Sequence, residues 1–283
     1  MKILVTGGNG FIGRHLAKAI EKRGYELALY DRKYGQDVLD PVAMDAAVKD
    51  VDAVFHLAGI LGSEETLDYI EHTIDVNIKG TLNVLGACRT FGKPMVLLSL
   101  KTGWHNPYLI TKRCAAELAI MYFRYLNLQT AVVKALNVYG PGQHWGHVHK
   151  VVPTFIVSAI RGEPLPVLGD GKQIADLIYV SDLCEILLLT LERKIWGQSF
   201  DAGTGIPTRV IDLAEMIIQM VGSSSKIEYL PMRKGEPLQS IQLADPTQEL
   251  RLLDFYPKVG LLKGMAETVI WYKEHYLEVE DRG

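Results

Sequence analysis

A doubly wound parallel α/β sheet is the fold class this sequence predicts, on three observations. Apolar runs of strand length alternate with helical periodicity along the first half of the chain. Gly7, Gly10 and Gly13 fall between the first such run and the first helix pattern. After Tyr139-Gly140-Pro141-Gly142 the texture shifts to frequent Gly and Pro (Gly162, Pro164, Pro166, Gly169, Gly171) with shorter helices. The expected organisation is a main domain over residues 1–145, rejoined by about 173–205, with a smaller C-terminal α/β lobe from 146–172 and 206–283.

Residues 2–6 form an apolar strand, and residues 14–23 an amphipathic helix with Leu16, Ala17 and Ile20 on one face, ended by Gly24. Strand, glycine turn and helix together let the backbone approach a pyrophosphate, because a helix N-terminus offers unpaired N–H groups and a positive dipole end. The next strand, residues 26–30, ends in Asp31. An acid there suits the two ribose hydroxyls of NAD and repels a 2′-phosphate. Arg32 and Lys33 follow directly and keep NADP as the second choice. Residues 51–58 are a buried strand, 66–91 a long helix and 94–99 a strand. A helix at 107–127 and a strand at 129–136 follow, and 178–192 returns to strand and helix. Ligands of such sheets bind at the carboxyl ends of the strands, where the glycine turn, Gly59, Ser99 and Leu136 should emerge.

Of the 283 residues, 48% are hydrophobic, ample for a core, and the net charge is −3. No basic run and no interleaving of aromatic with basic residues is present, which argues against a nucleic-acid partner. Cys88, Cys114 and Cys184 are odd in number and widely spaced, so they fit a reducing compartment rather than a disulfide framework or a metal site. Met1 leads into a strand without a leader pattern and no apolar stretch reaches membrane length, so a cytoplasmic protein without a membrane span is expected. His144, His147 and His149 lie near Trp145 with no acid or cysteine close by in sequence; they read as a polar loop, and no metal is expected.

Tyr108 and Lys112 are four residues apart in the helix pattern, which puts both on one face, a turn apart. An ammonium there favours phenolate over phenol, whose unperturbed pKa is about 10. A tyrosine tuned in this way takes a proton from an alcohol while a cofactor takes the hydride.

With these residues in hand, the chain resembles the extended short-chain dehydrogenase/reductases, and more narrowly the NAD-dependent epimerase/dehydratase family that acts on nucleotide sugars. The matching segments run from Thr6-Gly7-Gly8-Asn9-Gly10-Phe11-Ile12-Gly13 through Asp37-Val38-Leu39-Asp40, His56-Leu57-Ala58-Gly59, Asn77-Ile78-Lys79-Gly80-Thr81 and Tyr108 with Lys112. They continue through Asn137-Val138-Tyr139-Gly140-Pro141-Gly142, Gly169-Asp170-Gly171, Tyr179-Val180-Ser181-Asp182-Leu183 and Arg233-Lys234-Gly235-Glu236. The resemblance implies a Rossmann-type NAD-binding main domain. In it Gly7, Gly10, Phe11, Ile12 and Gly13 cradle the pyrophosphate, and Asp31 with Arg32 holds the adenosine ribose. Asp37 and Val38 flank the adenine, and Leu57, Ala58, Gly59 and Leu136 line the cofactor path. Lys112 also bonds the nicotinamide ribose. For the nucleotide-sugar substrate, Asn137 meets the sugar nucleotide, Pro166 and Leu168 lie where the family grips the base, and Arg233 lies where it binds the diphosphate. The helices at 66–91 and 107–127 imply a homodimer through a four-helix bundle, with Ile120, Met121 and Phe123 offering apolar surface.

Two departures stand out. The family places its catalytic Ser/Thr much further before the tyrosine than Leu98-Ser99-Leu100-Lys101-Thr102 allows. Its usual position falls on Leu100, so either Ser99 or Thr102, the latter nearer the tyrosine and preferred, bonds the substrate hydroxyl, or no residue does, and the shortened loop should leave the sugar pocket more open. Ala175 replaces an arginine near the diphosphate, and Lys150 could supply the missing charge. The implied activity is that of a nucleotide-sugar 4-epimerase like UDP-glucose 4-epimerase, working by transient oxidation at C4 with hydride transfer to bound NAD. The absence of a carboxylate from Ser99-Leu100-Lys101-Thr102 argues against a 4,6-dehydratase. An NADPH-consuming 4-ketoreductase and a non-catalytic dinucleotide sensor stay open beside the epimerase.

Overall fold

The computed structural model describes residues 1–101, 104–146 and 148–280. Strands and helices alternate at first: β1 (Lys2–Thr6), α1 (Phe11–Lys22), β2 (Glu26–Tyr30), α2 (Pro41–Lys49), β3 (Ala53–His56), α3 (Ile70–Ile74), α4 (Thr81–Phe91), β4 (Met95–Leu100), α5 (Pro107–Leu126) and β5 (Thr130–Ala135). Then come β6 (Asn137–Tyr139), α6 (Val151–Arg161), β7 (Leu165–Leu168), β8 (Ile174–Tyr179), α7 (Val180–Glu192), β9 (Ser199–Ala202), β10 (Pro207–Arg209), α8 (Val210–Val221), β11 (Ile227–Leu230), β12 (Ile241–Gln242), α9 (Pro246–Leu253) and α10 (Leu261–Glu280).

Six strands pair in the order β2-β1-β3-β4-β5-β9, all parallel. The sheet is the α/β architecture the sequence predicts. Both of its faces are covered. Ile3, Val5, Phe55, Val96, Leu98 and Val133 pack against Leu16 and Ile20 of α1 and Leu183 and Leu187 of α7. Leu4, Val54, Leu97 and Val132 pack against Met44, Leu85, Ala115 and Ala119 of α2, α4 and α5. Two-sided burial is why these strands read as continuous apolar runs rather than alternating ones. Each buried Leu, Val or Phe contributes about 1.5–3 kcal/mol. The strand order turns back at β1, which has β2 on one side and β3 on the other. That reversal opens a crevice at the carboxyl ends of β1 and β3.

A second sheet has the order β10-β8-β12, with β6 also paired to β8, and β7 pairs with β11. Strand β8 therefore lies outside the six-stranded sheet, whereas the helix that follows it directly, α7, packs on the large core. The 0%-exposed Asp176 of β8 ties this region together by accepting from the amides of Thr204, Gly205 and Ala244 and from the Thr204 hydroxyl.

The helix expected over 66–91 is interrupted. A π-helical turn, Asp75–Gly80, separates α3 from α4. Its one-residue excess brings Asn77 inward, where its side chain accepts from Ile60 N (2.8 Å) and donates to Ile60 O (3.2 Å) and Thr111 Oγ1 (3.0 Å). Helix α5 begins as its sequence dictates: Asn106 caps it by accepting from Leu109 N (3.0 Å), and Pro107 occupies the first turn. It ends at Asn127, in the left-handed region at φ 54°. Helix α1 starts three residues earlier than its periodicity indicates, at Phe11, because the glycine turn itself enters the helix. Among the described residues no helix is long and apolar enough to cross a membrane.

Candidate active site

The glycine turn joins β1 to α1 in the crevice. Gly7 has φ 69°, and a methyl on it would stand 2.7 Å from Ala58 N, so only glycine fits both the conformation and the approach of the chain after β3. At Gly13 a methyl would strike the Gly7 carbonyl oxygen and lie 2.8 Å from the Gly8 carbonyl carbon, which keeps α1 tight against the turn. No side chain caps α1, and no acid sits in its first turn, where Phe11 and Ile12 are half-buried. The helix thus presents free amides and the positive end of its dipole, which suits a pyrophosphate.

Asp31 follows β2. Its carboxylate accepts from Asn9 N (2.9 Å) and Lys33 N (2.9 Å), which fixes it between the glycine turn and the next turn. Two of its lone pairs remain for a diol. Arg32 is exposed. Asp37 holds its loop by accepting from Leu39 N (3.0 Å), its carbonyl accepts from the Tyr30 hydroxyl (2.8 Å), and Val38 is buried against Gly80. Leu57, Ala58 and Gly59 run along the same crevice. Leu57 N donates to Thr6 O (3.1 Å), and a methyl on Gly59 would lie 2.9 Å from Asn77 Oδ1 and 3.9 Å from Lys112 Nζ. Leu136 is buried, its amide donating to Ala202 O (3.0 Å). The residues present fit a dinucleotide such as NAD: a cradle that a Cβ would fill, uncapped amides and an acid at the second strand end.

Beneath this crevice runs a polar chain that the sequence did not disclose. Thr81 Oγ1 donates to Asn77 O (2.7 Å), so it accepts from His56 Nε2–H (3.0 Å). His56 Nδ1 therefore accepts from the Thr6 hydroxyl (2.6 Å), whose oxygen accepts from Ala58 N (3.3 Å). Every donor points one way, and the imidazole is neutral. Burial, with a smaller contribution from Lys112, pushes its pKa down to about 3. The available signal was that Thr6 and His56 end adjacent strands and are register partners.

Lys112 is 7% exposed and donates to Leu98 O (2.7 Å). Burial lowers its pKa to about 8 and raises that of the Tyr108 phenol. This corrects the expectation of a phenol lowered by the ammonium. In the free protein desolvation rules both groups, and the lysine's hydrogen bond goes to the strand. Ser99 is 3% exposed and donates to Lys112 O (3.2 Å), so its proton serves the seam between β4 and α5. Thr102, the other candidate for the substrate hydroxyl, lies outside the described residues, as does His147. At the end of β4 a cleft of about 370 Å³ has a mixed lining, in which Ser99, Lys101, Arg113 and Gln242 stand beside Leu100 and Leu243, among others. Lys101 is held there by Asp201 (2.5 Å) and Leu243 O (3.1 Å).

The expected substrate residues spread along the facing side. Asn137 donates to Asp176 O (3.3 Å) and Gln242 Oε1 (3.1 Å). Pro166 and Leu168 sit in β7, with Leu168 O accepting from Gln173 Nε2 (2.7 Å). Arg233 pairs with Glu65 (2.6 Å), Glu64 (3.5 Å) and Glu236 (3.8 Å). Lys150, half-buried just before α6, faces the same Glu65, Arg233 and Glu236, and burial lowers its pKa. The lysine that could stand in for the missing arginine at Ala175 therefore shares its surroundings with Arg233. Glu65 had no signal in the sequence, because its partners lie in distant segments. Among the described residues no group of three His, Cys, Asp and Glu is arranged to hold a metal ion.

A family model described as the NAD dependent epimerase/dehydratase family matches residues 3–103 and 97–203, and the two matches overlap at the short β4–α5 connection. A UDP-N-acetyl-alpha-D-glucosaminuronate decarboxylase of Bacillus cytotoxicus is 30% identical to this chain, over 96% of it and 98% of the relative. Among solved structures, an epimerase of Methanothermobacter thermautotrophicus is 25% identical with a TM-score of 0.93, covering 99% of this chain and 94% of that one. The UDP-glucose 4-epimerase of Thermotoga maritima, solved with UDP-glucose, is 27% identical with a TM-score of 0.90, covering 98% and 100%.

Proposed function

Since this chain belongs to the NAD-dependent epimerase/dehydratase family, we propose that it is a nucleotide-sugar 4-epimerase working by transient oxidation at the sugar C4. The observation that carries this reading is the α5 face. Tyr108 and Lys112 stand a turn apart, and the Lys112 ammonium lies against Gly59 of the cofactor crevice. Bound NAD supplies the hydride acceptor. The glycine turn and the α1 N-terminus hold its pyrophosphate, and Asp31 holds its ribose hydroxyls. Tyr108 takes the proton from the C4 hydroxyl, with Lys112 a turn away on the same helix face. Thr102 or Ser99 orients that hydroxyl. Asn137, Pro166, Leu168, Arg233 and Lys150 bind the nucleotide and its diphosphate.

No carboxylate stands in the run from Ser99 to Thr102, which counts against elimination of water from the sugar. The 30%-identical decarboxylase keeps one second reading open, loss of CO2 from a uronate after the same C4 oxidation. A homodimer through the segment 66–91, which holds α3 and α4, and α5, together with a reducing, cytoplasmic setting for the free Cys88, Cys114 and Cys184, completes the proposal.

The test offers NAD-loaded protein UDP-glucose, UDP-galactose and their N-acetyl counterparts without added cofactor, followed by NMR of the anomeric protons. Interconversion of either pair supports the epimerase. Release of CO2 from a UDP-uronate supports the decarboxylase instead, and loss of the C6 hydroxyl a dehydratase. Turnover of a keto sugar only with NADPH supports a reductase, and no turnover at all a sensor.

A further inference from the structure

Arg233 is the principal residue of the diphosphate reading, yet the protein already surrounds it with anions. Its side chain is 13% exposed, as is that of Glu65, and Nη2 lies 2.6 Å from Glu65 Oε2. Nε faces Glu64 at 3.5 Å and Nη1 faces Glu236 at 3.8 Å. The second oxygen of Glu65 accepts from His149 N (3.1 Å), next to Lys150. Lys150 faces the group with no ion pair within 4.0 Å among the described residues. Three acids against two bases leave this cluster one negative charge in excess. A diphosphate brought here would meet repulsion unless a carboxylate leaves.

Glu65 is the acid placed to leave. It sits in the turn that follows Gly62, whose φ of 113° is a backbone conformation that other residues rarely adopt. Thr66 Oγ1 donates back to Gly62 O (2.7 Å), so the turn is short and self-closed. Glu65 also joins three segments distant in sequence: the turn after β3, the residues before α6 and the residues after β11.

We propose that Glu65 is a built-in counter-anion seated on Arg233, that a nucleoside diphosphate must displace it to bind, and that this competition sets the affinity of the site. The proposal rests on the reading of Arg233 as the diphosphate residue. Removing the carboxylate takes away the nearest of the three acids on a buried guanidinium and leaves only the longer contacts to Glu64 and Glu236, so the free protein loses stability while an anionic ligand gains affinity. A merely structural role for Glu65 would lower both.

The experiment titrates UDP into NAD-loaded protein by calorimetry, with thermal midpoints taken with and without UDP. For Glu65→Gln we expect UDP to bind about tenfold more tightly, the ligand-free midpoint to fall, and the UDP-induced rise in midpoint to exceed that of the parent protein. Glu65→Asp, which keeps the charge but shortens the reach, is expected to fall between the two, and it carries the same test if Glu65→Gln does not fold. Unchanged or weaker UDP binding by both variants overturns the proposal. Arg233→Ala separates the two ideas. If it weakens UDP binding while the Glu65 variants do not tighten it, the competition alone is wrong; if it leaves UDP binding unchanged, the diphosphate reading fails and the competition with it.

Discussion

Two side chains four residues apart are legible in a sequence; what their surroundings do to them is not. The spacing of Tyr108 and Lys112 gave their shared helix face. The direction of their pKa shifts depends on what covers them, and in the free protein burial moves each away from its charged form. Tyr108→Phe should therefore leave NAD content untouched and cut turnover by about 10³-fold, the upper-middle range for losing a general acid–base group; cofactor absorbance and NMR turnover report the two halves. His56 makes a prediction about acid. Its folded pKa, about 3, lies below its ordinary value of 6.5. Between those values the unfolded chain holds a proton that the folded one refuses, so stability declines as pH falls from 6.5 towards 3 and then levels. The full loss is about 5 kcal/mol. Urea midpoints across that window should show the slope in the parent protein and a shallower one in His56→Gln.

At the scale of elements, the strands and α5 were readable because their signals are local: apolar runs, an asparagine cap, a proline in the first turn, a left-handed asparagine at the end. The interruption between α3 and α4 was not, since nothing within residues 70–91 requires it; the requirement comes from Ile60 and Thr111, which bond Asn77 from outside. The glycine turn lies between these cases. Its spacing announced a cofactor, but its tolerance is set by Gly7 and Gly8 pressing on Gly13. Gly13→Ala should destabilise the fold by about 1–3 kcal/mol from overpacking. It should also abolish the rise in thermal midpoint that added NAD gives the parent protein, which amounts to about 2.7 kcal/mol of stabilisation at a hundredfold excess over Kd.

For the whole molecule, the parallel sheet was legible because alternating elements leave few other arrangements. The transfer of β8 to the second sheet was not, because β8 and α7 are contiguous and only tertiary pairing divides them. The proposed dimer face changes in detail. Ile120 is buried and unavailable, while Ile70 and Ile74 of α3 and Ile110 of α5 are exposed. Sedimentation should give twice the chain mass, and Ile70→Asp combined with Ile110→Asp should give the monomer. The placement of β9 has one more effect. It is the last strand of the large sheet in chain order, and it covers the side of β5 that β4 does not. A growing polypeptide released before residue 199 would carry β5 as a bare edge, flanked by apolar surface and open to pairing with other nascent chains. Synthesis must therefore reach residue 202 before the edge that β5 would otherwise offer to neighbouring chains is closed.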